Sequence, residues 1–598
     1  MSKLTSKKIN IWGAFFIMVP KIARVSPAVF SAWQIIAVAH AISYGVIAPV
    51  TQYFFDSASR FASGQAKWPD AALGLVFLAA AHAIKQALNG TANFMNLQYY
   101  RKVEGVLATE LHEKISGLSP VSFEDTQVLD EMNKAVQGKD EAVWYAGTIL
   151  LMLTFYIPYF VCMAFYLFGI KPLLVVSLAL VFSPTLITQV LRAKVFSKAE
   201  DKSAPVRREF DYYECCITAR EYFRETRILG AFAYFRKLYG DSLVLLNKIR
   251  FRASAKSDMA ELGMQILSLG GYVGILLLLV DSLLNGEISV GAFAAVFGSV
   301  DQMFSLMKEL IVKNFGAVAG NFGRVRNYLK FMQMPVRSGC DVEIDKNADI
   351  TLSGVSFTYP AARESAVTSV SLSIKKGETI AVVGENGSGK TTLVRLITGL
   401  YLPDEGLISY GGVSTEAASM SSIFKNISAV FQNFQRYQMS LRVNIGISDV
   451  NTAADDLTLG DVCAQAGFDK NDTGFANGYD TMLSREFNGV DLSGGEWQRV
   501  AIARGLFRSR RGRQVIVLDE PTAAIDPIEE TKIYNRFAEI AKDKTAIYVT
   551  HRLGSVKLAD RIIVMKDGRL AEQGTHSELM GFGGEYARLY KAQEQWYV

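Results

Sequence analysis

The sequence predicts a chain in two parts, an α-helical part that spans a membrane and an α/β part that follows it. The chain has 598 residues, which is more than one compact domain usually holds. Hydrophobic residues make up 50% of the chain, and long apolar runs concentrate before residue 330. After residue 350 the pattern changes to short β-type runs that alternate with helical ones, which is typical of an α/β domain.

The apolar runs predict six transmembrane helices, because about 20 helical residues cross about 30 Å of hydrocarbon. The last run is the least apolar, since Asp301, Lys308 and Glu309 lie in it. A short basic and apolar segment ahead of the first run predicts a helix that lies in the membrane interface. The six runs are 28–53, 70–87, 143–168, 172–191, 262–280 and 290–312.

The charges in the loops predict the orientation. The segment between the fourth and fifth runs is rich in Lys and Arg, whereas the loop after the fifth run has neither. By the positive-inside rule, the N-terminus, the two long loops and the C-terminal part are cytoplasmic, and the chain is a multi-pass protein of the cytoplasmic membrane. The long loops favour helix, so we expect long cytoplasmic extensions of the spans that turn at 118–125 and 210–214 and press on the C-terminal part.

Besides Lys308 and Glu309, several ionisable residues lie inside the predicted spans. His40, His82 and Asp301 are each about 11 to 13 residues from the external end of their run, which places them at one level near mid-membrane. Lys85 lies one turn nearer the cytoplasm. Intramembrane ionisable groups usually face a bundle interior or an aqueous cavity, so these residues are candidates for lining a translocation cavity. A structural histidine–aspartate pair without a ligand is the alternative.

A phosphate-binding loop follows the β-type run 379–383, because residues 384–392 read GENGSGKTT and a helical run comes next. Glycines let the loop wrap closely, so that backbone N–H groups and the helix N-terminus face phosphate oxygens. Lys390 would bridge the β- and γ-phosphates of ATP, and the Thr391 hydroxyl would hold Mg²⁺. The predicted ATP-binding residues of the loop are Gly384, Asn386, Gly387, Ser388, Gly389, Lys390, Thr391 and Thr392.

Two acidic residues follow the apolar run 515–518, at the strand edge where α/β sheets carry their functional groups. Asp519 would hold Mg²⁺, and Glu520 would polarise the attacking water as a general base or as a positioning group. The alternative for such a pair is a strand end that meets solvent.

The segment between these motifs, residues 492–499, reads LSGGEWQR and resembles the signature of ATP-binding cassette proteins. The resemblance implies roles for four further positions. Tyr359 would stack on adenine, Gln432 would reach Mg²⁺ and the attacking water, Asp526 would belong to the D-loop and His551 would contact the γ-phosphate. The signature residues are Ser493, Gly494, Gly495 and Glu496, where Glu496 replaces the more usual Gln.

Six spans with two long cytoplasmic loops resemble the exporters of this family (type IV). The fold class implied is an α-helical membrane domain, with six transmembrane helices and long cytoplasmic extensions, fused to an α/β P-loop NTPase cassette domain. The residues Glu486, Phe487 and Trp497 look somewhat like those of peptide-antibiotic exporters. The predicted parts are an N-terminal interfacial helix (1–27), a membrane domain (28–330), a linker (331–348) and a nucleotide-binding domain (349–598).

The resemblance also implies a second subunit, because in this family the signature of one cassette completes the ATP site of another. Since every catalytic position is intact, a homodimer is expected, while a heterodimer stays open. The implied function is export of a peptide, drug-like molecule or lipid by ATP hydrolysis. An importer on the same fold with a siderophore-like cargo and a non-transporting ATP-driven sensor or regulator are the alternatives. The net charge of +5 gives no basic surface for a nucleic-acid partner.

Overall fold

The computed structural model divides into two compact units. One consists of Met1–Ile115 and Asp130–Met334, and the other of Ser116–Leu129 and Pro335–Val598. The described residues are 9–345, 348–467, 475, 477–510, 513, 515–520, 535, 537–539, 541–542, 544–550 and 554–594.

The first unit is built from long helices. The short helix α1 (Ile11–Val25) begins at Asn10, whose side chain accepts a hydrogen bond from the Gly13 N–H. The helices that follow are α2 (Pro27–Ala62), α3 (Trp68–Ser116), α4 (Thr126–Ile170), α5 (Pro172–Thr218), α6 (Phe223–Ile228), α7 (Phe232–Leu284) and α8 (Val290–Met332).

Five of the six predicted spans are confirmed as helices that are long and apolar enough to cross a membrane, namely α2, α3, α4, α7 and α8. The fourth predicted run lies in α5, whose first part, Pro172–Pro184, is also an apolar helix. Apolar helices of this length are the elements that satisfy their own backbone hydrogen bonds in hydrocarbon. The chain is therefore embedded in a membrane by several spans.

The helices continue well beyond their apolar stretches. The helix α3 has 49 residues and α7 has 53, which at about 1.5 Å per residue is more than twice the thickness of the hydrocarbon layer. The first predicted turn is confirmed, because Pro120–Glu124 forms a 3₁₀ turn between α3 and α4. The turn lies within the segment Ser116–Leu129, which belongs to the second unit. We call this segment of 14 residues the loop tip.

The second predicted turn, at 210–214, is wrong. The helix α5 runs through this segment to Thr218, and the chain turns only at 219–222, ahead of α6. The segment contains no glycine or proline that would end a helix. Phe210 stacks on Tyr239 of α7 with ring centroids 4.6 Å apart, so packing between the two helices holds the segment helical.

The second unit has the predicted α/β architecture with two sheets. An antiparallel sheet has the order β2-β1-β4-β5, and a six-stranded sheet has the order β10-β9-β3-β8-β7-β6. In the larger sheet all neighbours pair in parallel except β10 with β9. The strands are β1 (Ile350–Phe357), β2 (Val367–Ile374), β3 (Thr379–Val383), β4 (Glu405–Tyr410), β5 (Val413–Ser414), β6 (Ile427–Val430), β7 (Val515–Asp519), β8 (Thr545–Val549), β9 (Arg561–Lys566) and β10 (Arg569–Gly574).

The central strands are covered on both faces. Every residue of β7 and β8 is buried, as are the last four residues of β3, which is typical of parallel strands between layers of helices. Functional groups are therefore accessible only where these strands end. The helices of this unit are α9 (Lys390–Ile397), α10 (Met420–Phe424), α11 (Leu441–Gly446), α12 (Asp456–Ala466), α13 (Gly494–Ser509), α14 (His576–Phe582) and α15 (Glu585–Glu594).

The helix α13 packs closely on the edge strand β6. Ser428 of the strand donates a hydrogen bond of 2.7 Å from its hydroxyl to the Gly505 carbonyl oxygen. A Cβ atom at position 505 would lie 2.4 Å from the Val430 Cγ2 atom. The helix can approach the strand this closely only because Gly505 has no side chain.

We expect the substitution Gly505→Ala to destabilise the second unit by about 1–3 kcal/mol, because the added methyl group must displace Val430 from a packed core. The measurement is the midpoint of thermal unfolding of the detergent-solubilised chain. The control is Gly581→Ala in α14, where an added Cβ meets no other described atom within 4 Å. Equal midpoints for the two variants would contradict the packing argument.

Candidate nucleotide site

The phosphate loop lies between β3 and α9, at the carboxyl end of a central strand. Two of its glycines are sterically required. A Cβ at Gly384 would lie 2.2 Å from the Met565 carbonyl oxygen, and one at Gly389 would lie 2.4 Å from that of Ala366. Both glycines also have positive φ angles, of 151° and 95°. The glycines at positions 384 and 389 of the sequence motif are therefore the positions where the loop backbone contacts the backbone of another segment.

Lys390 is held inside the loop. Its ammonium group donates hydrogen bonds to the carbonyl oxygens of Gly384, at 3.0 Å, and Glu385, at 2.8 Å. Burial lowers the pKa of Lys390, against the opposing effect of the negative charges of Glu520 and Asp519. The buried Ser388 hydroxyl has no hydrogen-bond partner among the described residues. The loop thus presents two side-chain donors. Backbone carbonyl oxygens orient the ammonium group of Lys390, and the hydroxyl of Ser388 is unpaired among the described residues.

Asp519 ends β7 and faces the start of α9. One carboxylate oxygen, Oδ1, lies 3.3 Å from the Thr391 hydroxyl. The other, Oδ2, is buried and has no hydrogen-bond partner in the described part of the chain. Burial, and secondly the charge of Glu520, raise the pKa of Asp519 to about 6. An unpaired buried carboxylate oxygen beside a hydroxyl is a place where a ligand is expected.

Glu520 follows Asp519 in an unusual backbone conformation. Its φ angle is 47°, which is rare for a residue with a side chain and points to a site under functional constraint. The Gln432 amide donates a hydrogen bond of 2.8 Å to the Glu520 carboxylate. The structure therefore brings together two predicted residues that are 88 positions apart in the chain.

The signature residues form the start of α13. Ser493 caps the helix, because its hydroxyl accepts a hydrogen bond from the Glu496 N–H, at 3.3 Å, and the Glu496 carboxylate accepts one from the Ser493 N–H, at 2.7 Å. A glutamine side chain makes the same capping box, so the departure at Glu496 is structurally conservative. Gly494 and Gly495 form the first turn. Ser493, Gly494 and Glu496 are exposed, so this surface is open to a partner.

Tyr359 lies beside the phosphate loop, half-buried at the end of β1. Its hydroxyl is 3.0 Å from that of Thr392 and accepts a hydrogen bond of 3.2 Å from Arg395. Arg395 could not be singled out from the sequence, because its contacts with Tyr359 and Glu124 join residues far apart in the chain. Two other predicted residues, His551 and Asp526, lie outside the described residues.

The candidate residues of the membrane unit occupy different surroundings. His40 is 8% exposed and packs on the rings of Tyr44 and Phe155, with centroid distances of 5.1 and 4.9 Å. The ammonium group of Lys85 lies over the Tyr44 ring at 4.9 Å. His82 is exposed.

Asp301, on α8, lines a cavity of about 520 Å³ between α5, α7 and α8. Its wall combines charged groups with an aromatic cluster, in which the Phe304 ring lies 4.9 Å from Phe182 and 5.3 Å from Tyr272. The other charged groups of this wall are Glu261 and Lys308. The cavity is therefore amphipathic.

Comparison with known proteins shows what the parts of this chain resemble. Residues 367–523 match the family model described as "ABC transporter". The fold resembles a solved structure of a bacterial Atm1-family ABC exporter with ATP bound, with a TM-score of 0.74 at 20% identity over 94% of this chain and 97% of that one. The predicted fold is thereby confirmed in both of its parts.

Characterised relatives are also similar in sequence. The subtilin transport ATP-binding protein SpaT of Bacillus subtilis is 28% identical over 526 residues, which is 85% of this chain and 82% of SpaT. The nisin transport ATP-binding protein NisT of Lactococcus lactis subsp. lactis is 37% identical over 40% of each chain. An ATP-dependent lipid A-core flippase of Photobacterium profundum is 34% identical over 55% of each chain.

We expect Glu520→Gln to retain nucleotide binding and to lower the maximal rate of ATP hydrolysis by about 100-fold or more, because a general base or water-positioning carboxylate contributes on this scale. The measurements are the ATPase rate at saturating ATP and the dissociation constant for ATP. The exposed Glu405→Gln on β4 serves as the charge-matched control. Hydrolysis by the Glu520 variant at the rate of the unmodified chain would show that the role belongs to another residue.

Proposed function

We propose that this chain is an ABC transporter that hydrolyses ATP to export a peptide across the cytoplasmic membrane as a homodimer. One observation carries the hydrolytic part of this proposal: the hydrogen bond between Gln432 and Glu520, next to the unpaired oxygen of Asp519. It joins the groups that hydrolysis requires at the ends of two neighbouring strands.

The roles of the residues follow from this geometry. Lys390 binds the phosphates, and its carbonyl contacts are replaced by phosphate oxygens when ATP enters. Glu520 orients the attacking water and accepts its proton, while Gln432 holds the carboxylate in place. His551 is proposed to contact the γ-phosphate, as the resemblance implies.

The residues present fit Mg²⁺, since this cation prefers hard oxygen ligands. Thr391 supplies a hydroxyl and Asp519 supplies the unpaired carboxylate oxygen beside it. Gln432, bonded to Glu520, would reach the same place through its amide oxygen. When bound, Mg²⁺ neutralises the charge of the phosphates.

The exposed signature supports a second subunit. Ser493, Gly494 and Glu496 are accessible on one chain, and the capping box holds the Ser493 backbone in a fixed direction. A second copy of this chain would offer the same surface to the phosphate loop of the first, which gives two equivalent sites. Asp526 would lie at the same contact. If the second subunit is a different chain, a heterodimer replaces the proposed homodimer.

A peptide is the cargo best supported. The subtilin-transport relative aligns over 85% of this chain and therefore over its membrane helices as well, whereas the lipid A-core flippase aligns over 55%. The amphipathic cavity beside Asp301 suits a cargo that is both apolar and charged. His40, His82 and Lys85 are proposed to contribute to the same pathway. The loop charges favour a cytoplasmic cassette. The resemblance to exporters supports outward movement of the cargo.

We expect the chain, reconstituted in liposomes with its cassettes outside, to accumulate labelled nisin in the lumen when ATP and Mg²⁺ are added. The Glu520→Gln variant is the matched control, and it should accumulate none. Movement of lipid A alone would identify a flippase. Loss of preloaded siderophore from the lumen would identify an importer. ATP hydrolysis without movement of any cargo would favour a sensor or regulator.

A further inference from the structure

We propose that Glu124 and Arg395 are positioning residues for the nucleotide. Through Tyr359 they make the affinity for ATP depend on where the loop tip, Ser116–Leu129, lies. This inference rests on the proposed function, in which Tyr359 stacks on the adenine ring.

The first step is a continuous chain of hydrogen bonds. Arg395, on α9, donates through one guanidinium nitrogen to the hydroxyl of Tyr359 at 3.2 Å, to that of Tyr401 at 3.0 Å and to the Glu124 carboxylate at 3.3 Å. Tyr401 donates to the same Glu124 oxygen at 2.6 Å. A carboxylate of the loop tip is therefore one hydrogen-bonded residue away from the tyrosine that would hold the base.

The second step is that Arg395 has a single well-defined position. Its guanidinium group lies over the Tyr401 ring at 5.4 Å. Tyr401 is only 3% exposed and stacks on Phe357 with ring centroids 5.3 Å apart. The guanidinium nitrogen that bonds to Tyr359 is shared with Tyr401 and with Glu124, and Glu124 is the charged partner of the three. The loss of the Glu124 charge would therefore weaken the hold on this nitrogen and change its bond to Tyr359.

The third step is that the loop tip has a separate attachment. The Gly117 carbonyl oxygen accepts a hydrogen bond of 2.9 Å from the Arg337 N–H, and Val121 packs against the apolar core of this unit. The Arg337 guanidinium in turn donates to the Gly399 carbonyl oxygen at 2.7 Å. Since these contacts remain when Glu124 is neutralised, that substitution removes the link to the nucleotide site and leaves the loop tip attached.

The fourth step is the size of the effect. The Glu124 side chain is 42% exposed, so solvent screens its attraction for Arg395 and the link is of moderate strength. Losing a hydrogen bond that orients Tyr359 should weaken ATP binding by about two- to tenfold. Binding couplings are reciprocal, so bound ATP should in turn favour the docked position of the loop tip.

The experiment uses the 598-residue chain in lipid nanodiscs and measures two constants of ATP hydrolysis, KM for ATP and kcat. The variants are Glu124→Gln, Arg395→Gln, Tyr359→Phe and Tyr359→Ala, with Glu405→Gln as the control. We expect Glu124→Gln, Arg395→Gln and Tyr359→Phe each to raise KM by about two- to tenfold with kcat nearly unchanged, because they misplace the ring without touching the phosphates. The double variant Glu124→Gln, Tyr359→Phe should have the KM of a single variant.

The outcomes separate this inference from the proposed function. Tyr359→Ala should raise KM by about tenfold or more, because stacking on the base is lost. If it leaves KM unchanged, the assignment of Tyr359 is wrong. A second outcome is that Tyr359→Ala raises KM, while Glu124→Gln and Arg395→Gln have the same KM as the control Glu405→Gln. In that case Tyr359 keeps its role, and the positioning role of Glu124 and Arg395 is refuted. Additive effects in the double variant, or a fall in kcat alone, would refute it as well.

Discussion

The close approach of the phosphate loop to neighbouring backbone is the constraint on which the nucleotide site depends. Gly384 passes the Met565 carbonyl and Gly389 passes the Ala366 carbonyl, both at distances that exclude a Cβ atom. The Gly568 N–H, in the turn between β9 and β10, also donates to the Ser388 carbonyl oxygen at 3.2 Å. The loop is therefore supported by three segments of the unit, and two of its own carbonyl oxygens orient Lys390 at its centre.

The buried central strands explain where the remaining groups lie. Because every residue of β7 is buried, Asp519 is 1% exposed at its end and lies beside Thr391 at the start of the helix that follows the loop. Glu520 has a positive φ angle, and its carboxylate accepts a hydrogen bond from Gln432, which follows the adjacent strand β6. Parallel strand order thus brings positions that are distant in sequence into the one group that we propose to bind phosphate, metal and water.

The same unit contains further residues that connect the phosphate loop to the loop tip. Tyr359 contacts the loop residue Thr392, while Arg395 on the next turn of α9 reaches Tyr401 and the loop tip. Since the loop tip connects two long helices of the membrane unit in the chain, a change of its position has a direct covalent route to them. The amphipathic cavity beside Asp301 is lined by three other long helices of the membrane unit, α5, α7 and α8.

The sequence by itself determined the two-part architecture, five of the six predicted spans, the first turn and the composition of the phosphate loop. It could do so because hydrophobic length, glycine spacing and strand-end carboxylates are local signals. It failed at 210–214, where the stacking of Phe210 on Tyr239 keeps α5 helical. Only the tertiary structure decided that Gln432 bonds to Glu520 and that Arg395 connects Tyr359 to Glu124. The Gln432 and Arg395 contacts join residues between 36 and 271 positions apart, and such pairings depend on strand order and helix packing, which no local pattern records.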